Sequence, residues 1–131
     1  GDVGRRITPL LKAAYPEIIL SDIVEPKDLH GLRFVKADLA RMDEVQAAVR
    51  GVDAVMHLGG FSVEGPWETI LNANIVGCYN MFEAARQAGV KRLVFASSNH
   101  AVGFYPRSET IPPNVTTNGG TRSRVIATPC T

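Results

Sequence analysis

The residues able to do chemistry in this 131-residue sequence occur in short groups, each placed after an apolar run or at the opening of a helical one. Gly1-Asp2-Val3-Gly4 leads straight into a helical pattern. Glycines at this spacing let backbone pass close to a pyrophosphate, and the free amides of a helix start then face the anion. Taken alone, the pair reads equally as a turn. Asp22 closes the next apolar burst, where a carboxylate can accept hydrogen bonds from an adenosine ribose and would repel a 2′-phosphate. A solvated strand-end aspartate is the plain alternative. At Asp38-Leu39 the carboxylate could grip an adenine edge while the leucine covers its face, or Asp38 caps the following helix.

His57-Leu58-Gly59-Gly60 closes another apolar run. His57 reads as a structural strand residue, whereas backbone at Leu58, Gly59 and Gly60 could run beside a nicotinamide ribose. Ser62 could reach a substrate or be a polar loop residue. Ser97-Ser98-Asn99-His100 sets two hydroxyls, an amide and an imidazole after the last apolar run. Ser98 could hydrogen-bond a substrate hydroxyl. Asn99 and His100 could orient a polar substrate, with His100 paired to a carboxylate; otherwise the run is a serine-rich turn. No serine lies in a Gly-x-Ser-x-Gly elbow, so a hydrolase triad is not indicated.

These groups need elements to position them. Val3, Ile7, Leu10, Leu11 and Ala14 predict a helix over 3–15, stopped by Pro16, with Pro9 implying a kink. Short apolar runs predict strands at 17–20, 33–36, 52–58 and 92–96. A helix over 43–50 opens on Asp43 and Glu44 and ends at Gly51. A long helix over 66–88 opens at Pro66 and ends at Gly89. Strands separated by helices require crossovers, hence a parallel sheet covered on both faces, with ligands at the carboxyl ends of its strands. The expected fold is α/β: a partial Rossmann-like, doubly wound parallel sheet lacking its first strand and its C-terminal half. Residues 1–110 form the partial nucleotide-binding domain. Residues 111–131, rich in Thr, Pro, Gly and Asn, read as an irregular tail.

A hydrophobic content of 45%, a charged content of 21% and a net charge of +1 suit an ordinary globular domain and give no field for nucleic acid or an anionic membrane. The cysteines, Cys78 and Cys130, have no metal-ligand or redox spacing, so no metal is expected and a reduced, cytoplasmic setting is the default. No apolar run approaches the roughly 20 residues that cross a bilayer. The start at Gly1, without methionine or a leader, leads us to expect a true N-terminus further upstream.

Gly1-Asp2-Val3-Gly4-Arg5, Asp22, Asp38-Leu39, the run from Asp53 to Gly60, Asn74-Ile75-Val76-Gly77 and Phe95-Ala96-Ser97-Ser98 together resemble the extended short-chain dehydrogenase/reductase superfamily. Within it, His57 to Glu64 and Ser97 to His100, continued by Ala101 to Pro106, resemble the uronate dehydrogenases. The resemblance implies NAD as cofactor, held along Gly1, Gly4, Asp22, Asp38, Leu39, Leu58, Gly59 and Gly60. It implies a sugar-acid substrate contacted by Ser62, Asn99 and His100, with Ser98 as the catalytic serine. The reaction implied is oxidation of galacturonate or glucuronate at C1 to an aldarolactone. Asn74 matches a position that helps hold the active-site helix. A homo-oligomeric parent protein is compatible with the resemblance, and nucleotide-sugar epimerases and dehydratases share the same cofactor half. The superfamily's general base is a tyrosine with a lysine four residues later. Tyr15, Tyr79 and Tyr105 are followed at that spacing by Ile19, Glu83 and Glu109, so this segment alone is expected to be inactive and a non-catalytic NAD-binding role stays open.

Overall fold

The computed structural model describes residues 1–98. Helix α1 spans Asp2–Ala14 and is followed by parallel strands β1 (Ile19–Asp22) and β2 (Arg33–Lys36). Helix α2 (Met42–Ala48) leads into strand β3 (Ala54–His57). A long helical rod then runs through α3 (Trp67–Ile70), a π-helical segment (Leu71–Val76) and α4 (Gly77–Gln87) before strand β4 (Arg92–Phe95). The expected long helix is therefore one rod with a widened middle. The helix expected to begin at residue 3 continues through Pro9, and the first strand lies two residues later than expected, with Asp22 as its last residue.

The helix ends follow local chemistry. Val3, Ile7 and Leu11 share a half-buried face of α1 with the buried Thr8, whose hydroxyl donates to the Gly4 carbonyl at 2.7 Å. Extended backbone at Tyr15, followed by Pro16, ends the helix. Gly89, at φ 70°, ends α4 in a Schellman arrangement, with Val90 N–H on the Ala85 carbonyl and Gly89 N–H on the Arg86 carbonyl. Gly51, at φ 75°, makes the corresponding left-handed turn after α2.

The strands form two parallel pairs rather than one continuous sheet. β1 pairs with β2 in the register Leu20 to Phe34 and Asp22 to Lys36, and β3 pairs with β4 in the register Val55 to Leu93 and His57 to Phe95. A doubly wound sheet with its central strand missing divides in this way. The core lies where α2 meets α4. Val45, Val49 and Ala84 are buried there, with Leu39, Met42, Val52, Val55 and Met81 packed around them. No helix among the described residues is long and apolar enough to cross a membrane.

Candidate functional site

The opening of α1 and the end of β1 share one cavity of about 630 Å³, lined in part by Gly1, Gly4, Arg5, Asp22, Lys27 and His30. A β-carbon on Gly1 or Gly4 would meet nothing within 4 Å. Packing therefore does not demand glycine at either position, although glycine inside a helix costs about 1 kcal/mol relative to alanine. What the glycines do is keep the backbone at the helix start bare toward the cavity, as an approaching phosphate requires. Asp22 faces the same place. Its Oδ2 lies 3.7 Å from the Gly1 nitrogen, and its Oδ1 accepts the Ile23 N–H at 2.7 Å. Helix-start amides with a carboxylate one strand away suit the pyrophosphate and ribose of a dinucleotide, and Lys27 and Arg5, the latter ion-paired with Asp2 at 3.0 Å, line the same cavity together with Asp28.

Asp38 is occupied locally. Its Oδ1 accepts the Ala40 N–H at 2.9 Å, and its own N–H donates to Glu44 Oε2 at 2.8 Å. This is a local side-chain turn ahead of α2 rather than the helix cap, which falls at Arg41, and it fixes the turn that carries Leu39. Leu39 in turn packs between two close-approach glycines. A β-carbon on Gly59 would lie 2.9 Å from Leu39 Cδ1, and one on Gly77 would lie 2.8 Å from Leu39 Cβ. The loop after β2 thus meets both the loop after β3 and the start of α4.

That second loop is held from the rod. Asn74 Oδ1 accepts the Phe61 N–H at 2.7 Å, and Asn74 Nδ2 donates to the Phe61 carbonyl at 2.8 Å. Gly60, at φ 155°, passes so close that a β-carbon would stand 3.0 Å from Asn74 Oδ1. Leu58 is half-buried, while Gly59, Gly60 and Ser62 are exposed. Beneath the loop, His57 is only 3% exposed and lies against Phe95 and Phe82 at ring-centroid distances of 5.4 and 6.5 Å. Burial lowers the pKa of its imidazole, which is therefore neutral at neutral pH. Its Nε2 lies 3.8 Å from Cys78 Sγ.

Ser98 is half-buried just beyond β4, where the Ala96 N–H still donates to the His57 carbonyl at 2.9 Å. Asn99 and His100 lie outside the described residues, as does the tail expected over 111–131. The structure thus brings Gly1, Gly4 and Asp22 together in one cavity, and Leu39, Gly59 and Gly60 together at one contact. Ser62 lines neither. Asn80 and Gly77 were not singled out as site residues from the sequence. Asn74, Gly77 and Asn80 stand three residues apart along the rod, and that spacing of small and amide side chains was the available signal. No cluster of His, Cys, Asp or Glu among the described residues could hold a metal ion.

Parallel strand pairs flanked by helices, with a bare helix start facing a strand-end carboxylate, define a partial Rossmann-like α/β domain. The model of the NAD dependent epimerase/dehydratase family matches residues 1–124, and the chain belongs to that family. It is similar to a uronate dehydrogenase of Pseudomonas syringae pv. tomato, at 47% identity over 113 residues, covering 85% of this chain and 41% of that protein. It is also similar to a uronate dehydrogenase of Agrobacterium fabrum, at 54% identity over 81 residues, covering 62% of this chain and 31% of that protein. Among solved structures, a uronate dehydrogenase from Agrobacterium tumefaciens superposes with a TM-score of 0.76 at 45% identity, over 85% of this chain and 42% of that one. A mutant of that enzyme has been crystallised in complex with NAD. The chain therefore spans about a third to two fifths of the length of these relatives.

Proposed function

We propose that this chain is the cofactor-binding part of an NAD-dependent dehydrogenase that oxidises a hexuronic acid, galacturonate or glucuronate, at C1 to an aldarolactone. The observation that carries the reading is the shared cavity of Gly1, Gly4 and Asp22, and the similarity to uronate dehydrogenases supports the substrate class. In this reading the amides opening α1 bind the pyrophosphate, and Asp22 accepts hydrogen bonds from the adenosine ribose. The turn fixed by Asp38 sets Leu39 against the adenine. Leu58, Gly59 and Gly60 give the nicotinamide ribose a backbone surface without side chains. Ser98 hydrogen-bonds the C1 hydroxyl, and Ser62, Asn99 and His100 bind the sugar acid. The dinucleotide, when bound, supplies the two-electron acceptor. The reading includes a cytoplasmic setting and compatibility with a homo-oligomer.

The segment by itself has no tyrosine with a lysine four residues later, so its own role is to bind the dinucleotide without turnover. The test is NADH formation from NAD⁺ by the full gene product, supplied with galacturonate, glucuronate or a UDP-sugar. Turnover with the uronates alone supports the proposal. Conversion of a UDP-sugar without net NADH, read by product analysis because an epimerase or dehydratase returns the hydride to its substrate, selects that class, and NAD⁺ binding without conversion of any sugar selects a non-catalytic module. NADH formation by the 131-residue segment itself would contradict the argument from the absent base.

A further inference from the structure

We infer that Asn74 and Asn80 are positioning residues that hold the two dinucleotide-facing loops at a fixed separation from a single helix, each governing a different half of the ligand. The inference rests on the dinucleotide reading above and goes beyond it by assigning residues that touch no part of the ligand.

The geometry is specific. Asn80 is buried, 5% exposed, and donates from Nδ2 to the Leu39 carbonyl at 2.8 Å. Asn74 satisfies both backbone groups of Phe61 with its one amide. Between them, Gly77 has no side chain where Leu39 packs. The π-helical segment places these contacts. In it the Gly77 N–H donates to the Asn72 carbonyl, five residues back, which widens the turn that carries Asn74. π-Segments inside α-helices are rare and concentrate at functional sites. The carbonyl of Leu39 and the backbone of Phe61 belong to loops with no regular pairing of their own. Without the two amides, these groups lose partners that a half-buried backbone needs.

The consequences for ligand differ by position. In the dinucleotide reading Leu39 covers the adenine, and Asn80, bonded to the Leu39 carbonyl, therefore governs the adenosine half. The Gly59–Gly60 backbone, tied through Phe61, faces the nicotinamide end, so Asn74 governs the other half.

The experiment is calorimetric titration of the full gene product with NAD⁺ and, separately, with AMP. Asn80→Ala is expected to weaken both ligands together. Asn74→Ala is expected to weaken NAD⁺ by about tenfold, the worth of one to two backbone hydrogen bonds, while leaving AMP unchanged. Asn74→Asp keeps an acceptor for the Phe61 N–H and loses the donor to its carbonyl. It should recover part of the NAD⁺ loss, and it supplies the measurement where the alanine variant is too unstable to titrate. General damage to the fold would lower both ligands in every variant, and that result overturns the inference. So does an unchanged NAD⁺ affinity in the Asn74 variants. Absence of NAD⁺ binding by the unsubstituted protein is a separate outcome, which overturns the dinucleotide reading itself.

Discussion

Gly77 and Leu39, from elements 38 positions apart in sequence, meet without room for a methyl group: a β-carbon on Gly77 would stand 2.8 Å from Leu39 Cβ and 3.2 Å from the Asn72 carbonyl oxygen. Both obstacles are backbone or backbone-proximal, so neither can rotate away. Gly77→Ala gains about 1 kcal/mol in helix propensity and meets an overpacking cost of about 1–3 kcal/mol. The expected net result is destabilisation by up to about 2 kcal/mol, read as a lower urea midpoint with unchanged slope. A midpoint at or above that of the parent chain would show that Leu39 moves freely.

Gly4 behaves in the opposite sense. Nothing stands within 4 Å of the position its β-carbon would take, and its residue lies inside α1. Gly4→Ala should therefore raise the unfolding free energy by about 0.5–1 kcal/mol. The same methyl would project toward the cavity shared with Asp22, and NAD⁺ affinity should fall by at least about tenfold. A stabilised variant with weakened binding separates a ligand-driven glycine from a packing-driven one. Equal NAD⁺ affinity in the two proteins would remove Gly4 from the site.

Asp22 should set the choice between dinucleotides. Its carboxylate lies at the ribose end of the proposed site, with Arg5 and Lys27 lining the same cavity. Asp22→Ser removes the repulsion toward a 2′-phosphate and leaves those two cations in place. The ratio of NADP⁺ to NAD⁺ affinity should rise by about tenfold or more, corresponding to about 1.4 kcal/mol. An unchanged ratio, measured by titration with both nucleotides, would place the ribose elsewhere.

Much of this was legible in the sequence, for physical reasons. Gly51 and Gly89 marked helix ends because only glycine takes a left-handed turn without cost, and both have positive φ. Four short apolar runs became strands because buried parallel strands read as continuous runs. Asp22 closes the first strand, as its place after the apolar burst indicated, but the strand's start at Ile19 rather than Glu17 was not legible, because a run of mixed residues sets no boundary by periodicity. Nor was the widened turn at Leu71–Val76, since propensity does not distinguish i to i+4 from i to i+5 pairing. Asp38 was open between two roles, and the structure gives it a local turn at Ala40 while the cap of α2 falls at Arg41. The three-residue spacing of Asn74, Gly77 and Asn80 marks one helix face, but it does not name Leu39, far away in the chain, as the residue Gly77 and Asn80 meet.

His57 should make the fold sensitive to mild acid. Burial among Phe82, Phe95 and Cys78 lowers its pKa below the ordinary value of 6.5. Above pH 6.5 the imidazole is neutral in both states and its contribution is fully present. As the pH falls below 6.5, the unfolded chain takes up a proton that the folded chain refuses, and stability declines until the folded-state pKa is reached. Glu83 acts in a lower window. The hydrogen bonds from Arg86 and Gln87 hold its pKa at about 2, so its contribution is lost only as the pH falls from 4.5 toward that value. Urea midpoints at about pH 7.5 and about pH 5.5 should differ in the parent chain and differ less in His57→Gln. The same difference in both proteins would assign the acid sensitivity to other groups.

The division of the strands into two pairs predicts how the 131-residue chain behaves alone. Among the described residues β1 has β2 as its partner and β3 has β4, so each of the four strands has one edge without a ladder there. Two-stranded sheets are marginal in water, and open parallel edges are templates for pairing with other chains. The buried core among the described residues is small, with Val45 the one large side chain there that is fully buried, and it lies between α2 and α4 rather than between the strand pairs. Unmet backbone groups at the edges cost about 1–3 kcal/mol each where water cannot reach them, against a net domain stability of about 5–15 kcal/mol. The isolated chain should therefore melt at low temperature or self-associate through these edges. Light scattering combined with thermal melts at two protein concentrations will tell. A sharp, concentration-independent transition of a monomer well above room temperature would mean that the strand edges are covered, and the two-sheet description would have to be abandoned.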